Sequence, residues 1–343
     1  MNRVLIFAPN WLGDTIMALP AIADVARGLP DAIIAVAARS SLAPLLRIVP
    51  YVDEVVESAG WTDVFRPPAS RGRFDVAILL PNSFRSALTA FRARIPERWG
   101  YRTDGRRLLL TKAIERPPAG THQVQQYQQL VNALGFANGP DEPRIELTSD
   151  VRDQGRRSLE RAGWDGRAPI VALAPGAAYG GSKRWPLEYF VDLTRRLAAD
   201  GMQPAIVGGI GDAATGEAIR TALGDLAVLS MIGTSAPDLP TLAGALVHTR
   251  LLISNDSGPL HLGAAVGLPA VALFGPTDER ITAPRTAVDT EGDQMSGAVH
   301  TKVVVLTHPV WCRPCWLREC PLSHDCLRGI DVETVHGAAR QML

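Results

Sequence analysis

Residues 251–277 read LLISNDSGPLHLGAAVGLPAVALFGPT, and this stretch decides the fold. Leu251, Leu252 and Ile253 form an apolar run suited to a short buried strand. Polar residues then crowd its end: Ser254, Asn255, Asp256, Ser257 and Gly258. Pro259 fits the first turn of a helix, where its missing N–H costs nothing. Small and apolar residues continue to Ala265, Gly267-Leu268-Pro269 stops the helix, and residues 270–274 read as the next strand. The unit is strand–loop–helix–strand, with its polar residues at the carboxyl end of a strand. In open parallel sheets ligands bind at that edge.

Free N–H groups at the helix start, with the helix dipole, suit a phosphate. Asp256 suits sugar hydroxyls instead, so donors beside one carboxylate point to a sugar nucleotide. The same Asp, Ser and Asn residues would also serve simply as helix caps.

Outward from this unit, the chain alternates strands and helices twice, which implies parallel sheets covered by helices. Residues 4–8 read as a first strand, and residues 9–14 as the loop after it. Residues 15–27 carry a helical apolar stripe interrupted at Pro20, where a kink or a late start is expected. Residues 75–80 read as another strand, followed by Pro81-Asn82-Ser83. Residues 138–168 are rich in Pro, Gly and charge and hold the domain boundary. A second series begins at residues 169–174 and leads into the loop Pro175 to Pro186, which carries Ser182 and Lys183. The glycines at 208, 209 and 211 lack the G-x-G-x-x-G spacing and read as a turn. Residues 283–297 are polar and irregular and read as a mobile loop.

The 343 residues suffice for two domains, and 35 basic residues balance 35 acidic ones. Zero net charge argues against general nucleic-acid binding. No apolar run reaches the ~20 residues of a spanning helix. The first strand is too short and too soon polar for a signal peptide, so a cytosolic compartment is expected. Arginines crowd residues 66–116: Arg66, Arg71, Arg73, Arg85, Arg92, Arg94, Arg98, Arg102, Arg106, Arg107 and Arg116, with Lys112. They read either as a solvated face or as a basic patch for a phosphorylated acceptor or an anionic membrane. Cys312, Cys315, Cys320 and Cys326 start with a zinc-like C-x2-C, but their other gaps are irregular. They hold a structural metal or pack as reduced thiols. No Asp-x-Asp pair offers a site for a catalytic divalent ion.

Three stretches in this order resemble the family 9 glycosyltransferases: Asn10-Trp11-Leu12-Gly13-Asp14-Thr15, Lys183-Arg184-Trp185-Pro186, and Ser254-Asn255-Asp256-Ser257-Gly258-Pro259-Leu260-His261. Pro81-Asn82-Ser83-Phe84-Arg85-Ser86-Ala87-Leu88 and Trp311-Cys312-Arg313-Pro314-Cys315 are similar to the branch that adds a second heptose to lipopolysaccharide. The resemblance spans nearly the whole chain. It implies an α/β GT-B fold, two Rossmann-like domains facing a central cleft. Residues 1–160 would bind the acceptor, residues 161–330 the nucleotide sugar, and residues 331–343 would form a C-terminal helix.

The resemblance also implies the reaction. Heptose would pass, with inversion, from ADP-heptose to the first heptose of the Kdo–lipid A inner core. Asp14 would be the base that takes the acceptor's proton; its other reading is a helix cap. Lys183 would neutralise the departing ADP, with Ser182 as a weaker donor contact. Asp256 would hold sugar hydroxyls, Ser257 and Gly258 would offer N–H groups to the pyrophosphate, and His261 would bind phosphate or sit as a satisfied helix histidine. Asn82, Ser83 and Arg85 would meet the acceptor or form a polar turn. No metal or other cofactor is needed. The expected partners are ADP-heptose, heptosyl-Kdo2-lipid A and, peripherally, the inner face of the inner membrane, with no nucleic acid. The alternatives are a first-heptose or other family 9 transferase, or a nucleotide-sugar epimerase or hydrolase on the same plan.

Overall fold

A computed structural model describes residues 1–58, 73–285, 287–288 and 302–343. Arg66 and Arg71 of the arginine-rich run lie outside them, as does most of the irregular loop at 283–297. The chain divides into two compact units, Met1–Pro143 and Arg144–Leu343.

The first unit holds a parallel six-stranded sheet: β1 (Arg3–Phe7), β2 (Ile33–Arg39), β3 (Glu54–Ser58), β4 (Val76–Leu79), β5 (Glu97–Tyr101) and β6 (Lys112–Ile114). Their order is β3-β2-β1-β4-β5-β6. Val4, Leu5, Ile6 and Phe7 are all buried, as a strand covered on both faces requires. Pro20 acts as expected. One helix ends at Met17 and a second, Leu19–Gly28, starts with the proline in its first turn.

The second unit repeats the plan. Its parallel strands are β7 (Ile170–Ala174), β8 (Gln203–Val207), β9 (Leu229–Met231), β10 (Leu251–Asn255), β11 (Ala270–Phe274), β12 (Ala287–Val288) and β13 (Val303–Thr307). They run in the order β12-β13-β11-β10-β7-β8-β9. In each unit the first strand stands at the point where the order reverses, beside β4 in one and beside β10 in the other. At such a switch point the loops on either side part and leave a crevice at the carboxyl ends of the strands. The loops after β1, β4, β7 and β10, with the helices that begin directly after three of them, carry all the candidate site residues.

The boundary at 160 is not where the compact units part. The Ser149–Arg161 helix packs on the Leu239–Leu246 helix within the second unit. Gly155 meets Gly244 there at a distance that leaves no room for a side chain. A Cβ at Gly155 would collide with the Gly244 carbonyl, and one at Gly244 with the Val151 carbonyl. Gly244→Ala should therefore cost about 3 kcal/mol through overpacking against backbone that cannot rotate away. A thermal melt of the variant checks this, and an unchanged melting temperature refutes the contact. The Val332–Met342 helix, read from sequence as separate, also belongs to this unit and packs on the Leu187–Ala199 helix.

Candidate active site

In the second unit the site grows from the end of β10. Asn255 is fully buried and ties down the loop after β7 at both ends. Its Nδ2 donates to the Pro175 carbonyl (2.8 Å), and its Oδ1 accepts from the Trp185 amide (3.1 Å). Trp185 is fixed further by its indole N–H donating to the Ile330 carbonyl (2.8 Å) and by edge-on packing against Phe190. The loop is thus pinned on both sides of Lys183.

Asp256 follows Asn255. Its Oδ2 accepts from the Lys183 amine at 2.5 Å and from the Thr277 hydroxyl at 2.6 Å. Asp256 is 4% exposed and the Lys183 side chain 12%. The amine also lies 4.9 Å from the centroid of the Tyr179 ring. Lys183 is therefore held at the switch point by an anion and an aromatic face; it is not a free arm on a glycine loop. Ser257 caps the Gly258–Ala265 helix with no side-chain bond to its first turn. His261, inside that helix, is buried.

Ser182 departs from its expected place. Its hydroxyl donates to the Leu317 carbonyl at 2.5 Å and its amide to the Arg318 carbonyl at 3.0 Å. Both of its donors are spent on the segment 311–324, the one that carries three of the four cysteines. That segment works as a strap. The Tyr179 hydroxyl donates to the Trp316 carbonyl (2.5 Å), and the Gly181 amide to the Glu319 carboxylate (3.1 Å). Gly180 must be glycine because a Cβ there would strike the Arg318 carbonyl. At its other side the strap grips the loop after β11. The Cys315 and Trp316 amides donate to the Pro276 carbonyl, and Arg313 donates to the Gly275 and Thr277 carbonyls and pairs with Glu279. It joins the loop that bears Lys183 to the loop whose Thr277 holds Asp256.

The structure gives no support to the metal reading of the cysteines. Among the described residues no group of three or more His, Cys, Asp or Glu side chains is arranged to hold a metal ion. Burial first, then the neighbouring thiols, push the Cys326 thiol up from its ordinary range, which keeps it protonated and inert. The strap is held by backbone carbonyls and Arg313, bonds that the cysteine spacing does not reveal.

In the first unit Asp14 lies in the first turn of the Leu12–Met17 helix, after β1. Tyr127, on the Gln123–Ala133 helix, is buried, and its phenol is pushed well above its ordinary range, first by burial and then by the Asp14 carboxylate. Sequence reasoning missed Tyr127, because nothing in a Gln-rich helix signals which residue turns toward a loop more than a hundred positions earlier.

Asn82 and Ser83 stand at the neighbouring strand end. Phe7 is level with Leu79 in the parallel register, so the loops that carry Asn10 and Asn82 leave the sheet from neighbouring strand ends. The side-chain oxygens of Asn10 and Asn82 are both buried, and both lack a hydrogen-bond partner among the described residues. Ser83 caps the Phe84–Arg92 helix by accepting from the Ser86 amide, and Arg85 projects from that helix into solvent.

Arg106 departs from the basic patch. It is fully buried, and its guanidinium donates to the carbonyls of Tyr101 (2.9 Å), Pro81 (2.5 Å) and Ser83 (3.3 Å) and to the Ser86 hydroxyl (3.0 Å). Burial pulls its pKa down to about 10, so it stays charged near neutrality. Its work is to hold the Pro81–Ser83 turn in shape.

Residues 69–324 match the family model described as glycosyltransferase family 9 (heptosyltransferase). The chain is 30% identical to lipopolysaccharide heptosyltransferase 2 of Salmonella typhimurium, over 82% of this chain and 85% of that one. It is 29% identical to lipooligosaccharide heptosyltransferase 2 of Haemophilus influenzae, over 82% and 86%. The solved structure of ADP-heptose lps heptosyltransferase II from E. coli superposes with a TM-score of 0.81 at 24% identity, covering 100% of this chain and 98% of the other. That likeness carries the fold, the GT-B class expected from the motifs. With the match over three quarters of its length, the chain belongs to glycosyltransferase family 9, the heptosyltransferase family, and is a glycosyltransferase.

Proposed function

We propose that this enzyme transfers a heptose from ADP-heptose to the first heptose of the lipopolysaccharide inner core, the second-heptose step. The observation that carries the reading is the Lys183–Asp256 pair, closed by Thr277 at the switch point of the second sheet and set beside the open N-terminus of the Gly258–Ala265 helix. A nucleoside diphosphate needs a cation and N–H donors, while its sugar needs a hydroxyl acceptor. The lysine, the helix start and the aspartate supply these in that order. The names of the relatives from Salmonella and Haemophilus support the choice of sugar.

In this reading the acceptor hydroxyl oxygen bonds to the anomeric carbon of heptose from the face opposite ADP. The bond from that carbon to the phosphate oxygen breaks, and ADP leaves with the electron pair, its charge met by Lys183 and the helix start. The acceptor's proton goes to Asp14. Asn10 and Asn82, with two buried and unanswered oxygens in the loops after neighbouring strands, supply acceptors for hydroxyl groups of the acceptor sugar. No step calls for a metal. The acceptor carries its own lipid, and no helix among the described residues is long and apolar enough to cross a membrane, so we place the enzyme peripherally at the cytoplasmic face of the inner membrane.

The test is transfer from ADP-heptose to monoheptosylated Kdo–lipid A, with the heptose-free acceptor run in parallel. Product from the first alone is the expected result. Product from the heptose-free acceptor would move the enzyme to the first-heptose step. Free heptose released without either acceptor would overturn the transferase reading of the site.

A further inference from the structure

We propose that the Phe84–Arg92 helix, with the turn at Arg106–Leu109 packed beside it, is the surface by which this enzyme docks on an anionic bilayer. The helix is built inside out. Its inward face is made of small residues, Ser86, Ala87, Thr89 and Ala90, all buried. The large apolar residues point the other way: Phe84 is 43% exposed and Phe91 50%, and Leu108 on the adjoining turn is 90% exposed. At 3.6 residues per turn, Phe84, Leu88 and Phe91 fall on one stripe, and Arg85 and Arg92 flank it on one side, all within roughly a third of the circumference.

The charge is one-sided. Residues 84–94 contain three arginines and no acid. Arg85, Arg92, Arg94 and Arg107 are exposed, and among the described residues none of them forms an ion pair. The acids nearby are already engaged. Asp104 accepts from the Phe84 amide (2.7 Å), Glu97 accepts from Trp99 and Thr111, and Glu115 pairs with Arg102. Unpaired arginines around outward phenylalanines are what an interfacial helix requires: the rings enter the acyl boundary while the guanidinium groups stay with lipid phosphates. The placement also fits the reaction. The helix begins directly after Asn82 and Ser83, so an acceptor sugar seated at that strand end keeps its lipid beside the helix. The inference rests on the lipid-borne acceptor proposed above, but its test needs no turnover.

The experiment is co-sedimentation of the full-length protein with vesicles of phosphatidylglycerol in phosphatidylcholine, and with phosphatidylcholine alone, at low and high salt. Wild type should pellet with the anionic vesicles, less at high salt, and stay in solution with the neutral ones. Arg92→Glu with Arg107→Glu, and separately Phe91→Ser with Leu108→Ser, should each lower vesicle binding by more than about tenfold, since each basic residue near such a surface contributes roughly fivefold. Melting curves and transfer to a delipidated, water-soluble acceptor should match wild type for both variants. Binding by either variant at the wild-type level would overturn the proposal, as would equal binding to neutral vesicles. Equally tight binding to a soluble polyanion such as RNA would overturn it too, because the rings would then have no part. If wild type pellets but transfers to no acceptor, the docking surface stands and the functional reading falls.

Discussion

Asp14→Asn should bind ADP-heptose as tightly as the parent and transfer heptose about 10²–10⁴ times more slowly, the range for a positioned general base. The substitution keeps the shape of the side chain and removes only its ability to take a proton. Donor affinity should not move, because the residues assigned to the donor all lie in the second unit. Stability should change little: an acidic residue in the first helical turn contributes about 0.3–1 kcal/mol through the dipole. Single-turnover transfer and donor calorimetry on one preparation read both quantities. If turnover survives, Asp14 is a helix-cap residue and the base lies elsewhere. If donor binding falls as well, the variant has disturbed the loop and reports nothing about the proton.

Lys183→Ala should lose about 10²–10³ in transfer rate, the usual effect of removing one charge that meets a developing anion. It should also cost stability, and this separates it from an ordinary surface lysine. Asp256 is buried and has two partners, Lys183 at 2.5 Å and Thr277 at 2.6 Å. Without the amine a buried carboxylate keeps only a hydroxyl, a loss of about 3 kcal/mol. The double variant Lys183→Ala with Asp256→Ala should recover much of that stability, because the orphaned charge is gone, and none of the activity. A double-mutant cycle run on both melting and transfer tests this. Additive stability losses would mean that the pair is not a pair in solution. A full rate in the single variant would leave Lys183 with a structural role only.

Much of this protein follows from local pattern. The alternation of short apolar runs with helical stripes is written residue by residue, so two α/β halves were legible without coordinates. So were the loops that matter, because polar residues crowded at the end of an apolar run mark a strand's carboxyl edge wherever that strand sits. Pro20 in mid-stripe announced its helix break for the same reason: a ring without an N–H acts on its own turn.

Strand order was not legible. Nothing near β4 states that it lies beside β1, with β2 on the other side, yet that placement puts the loops of Asn10 and Asn82 at neighbouring strand ends and the Pro81–Ser83 turn at a switch point. The misread residues share this cause. Arg106 looks in sequence like one more arginine of a basic run, but the fold closes over it and spends its Nε and Nη1 donors on three carbonyls and a hydroxyl. Ser182 looks like a ligand donor until the strap reaches its hydroxyl from 135 positions away. The cysteine spacing gives no sign that the backbone around it clasps two loops. Asn255 sits inside a recognisable motif, but its role as the pin of the Lys183 loop needs Pro175 and Trp185 as neighbours. In each case the partner is a backbone group or a residue far along the chain. Sequence pattern records what a residue is and what lies a turn away. Which distant carbonyl meets it is decided by the packing of the sheet, and so only by the tertiary structure.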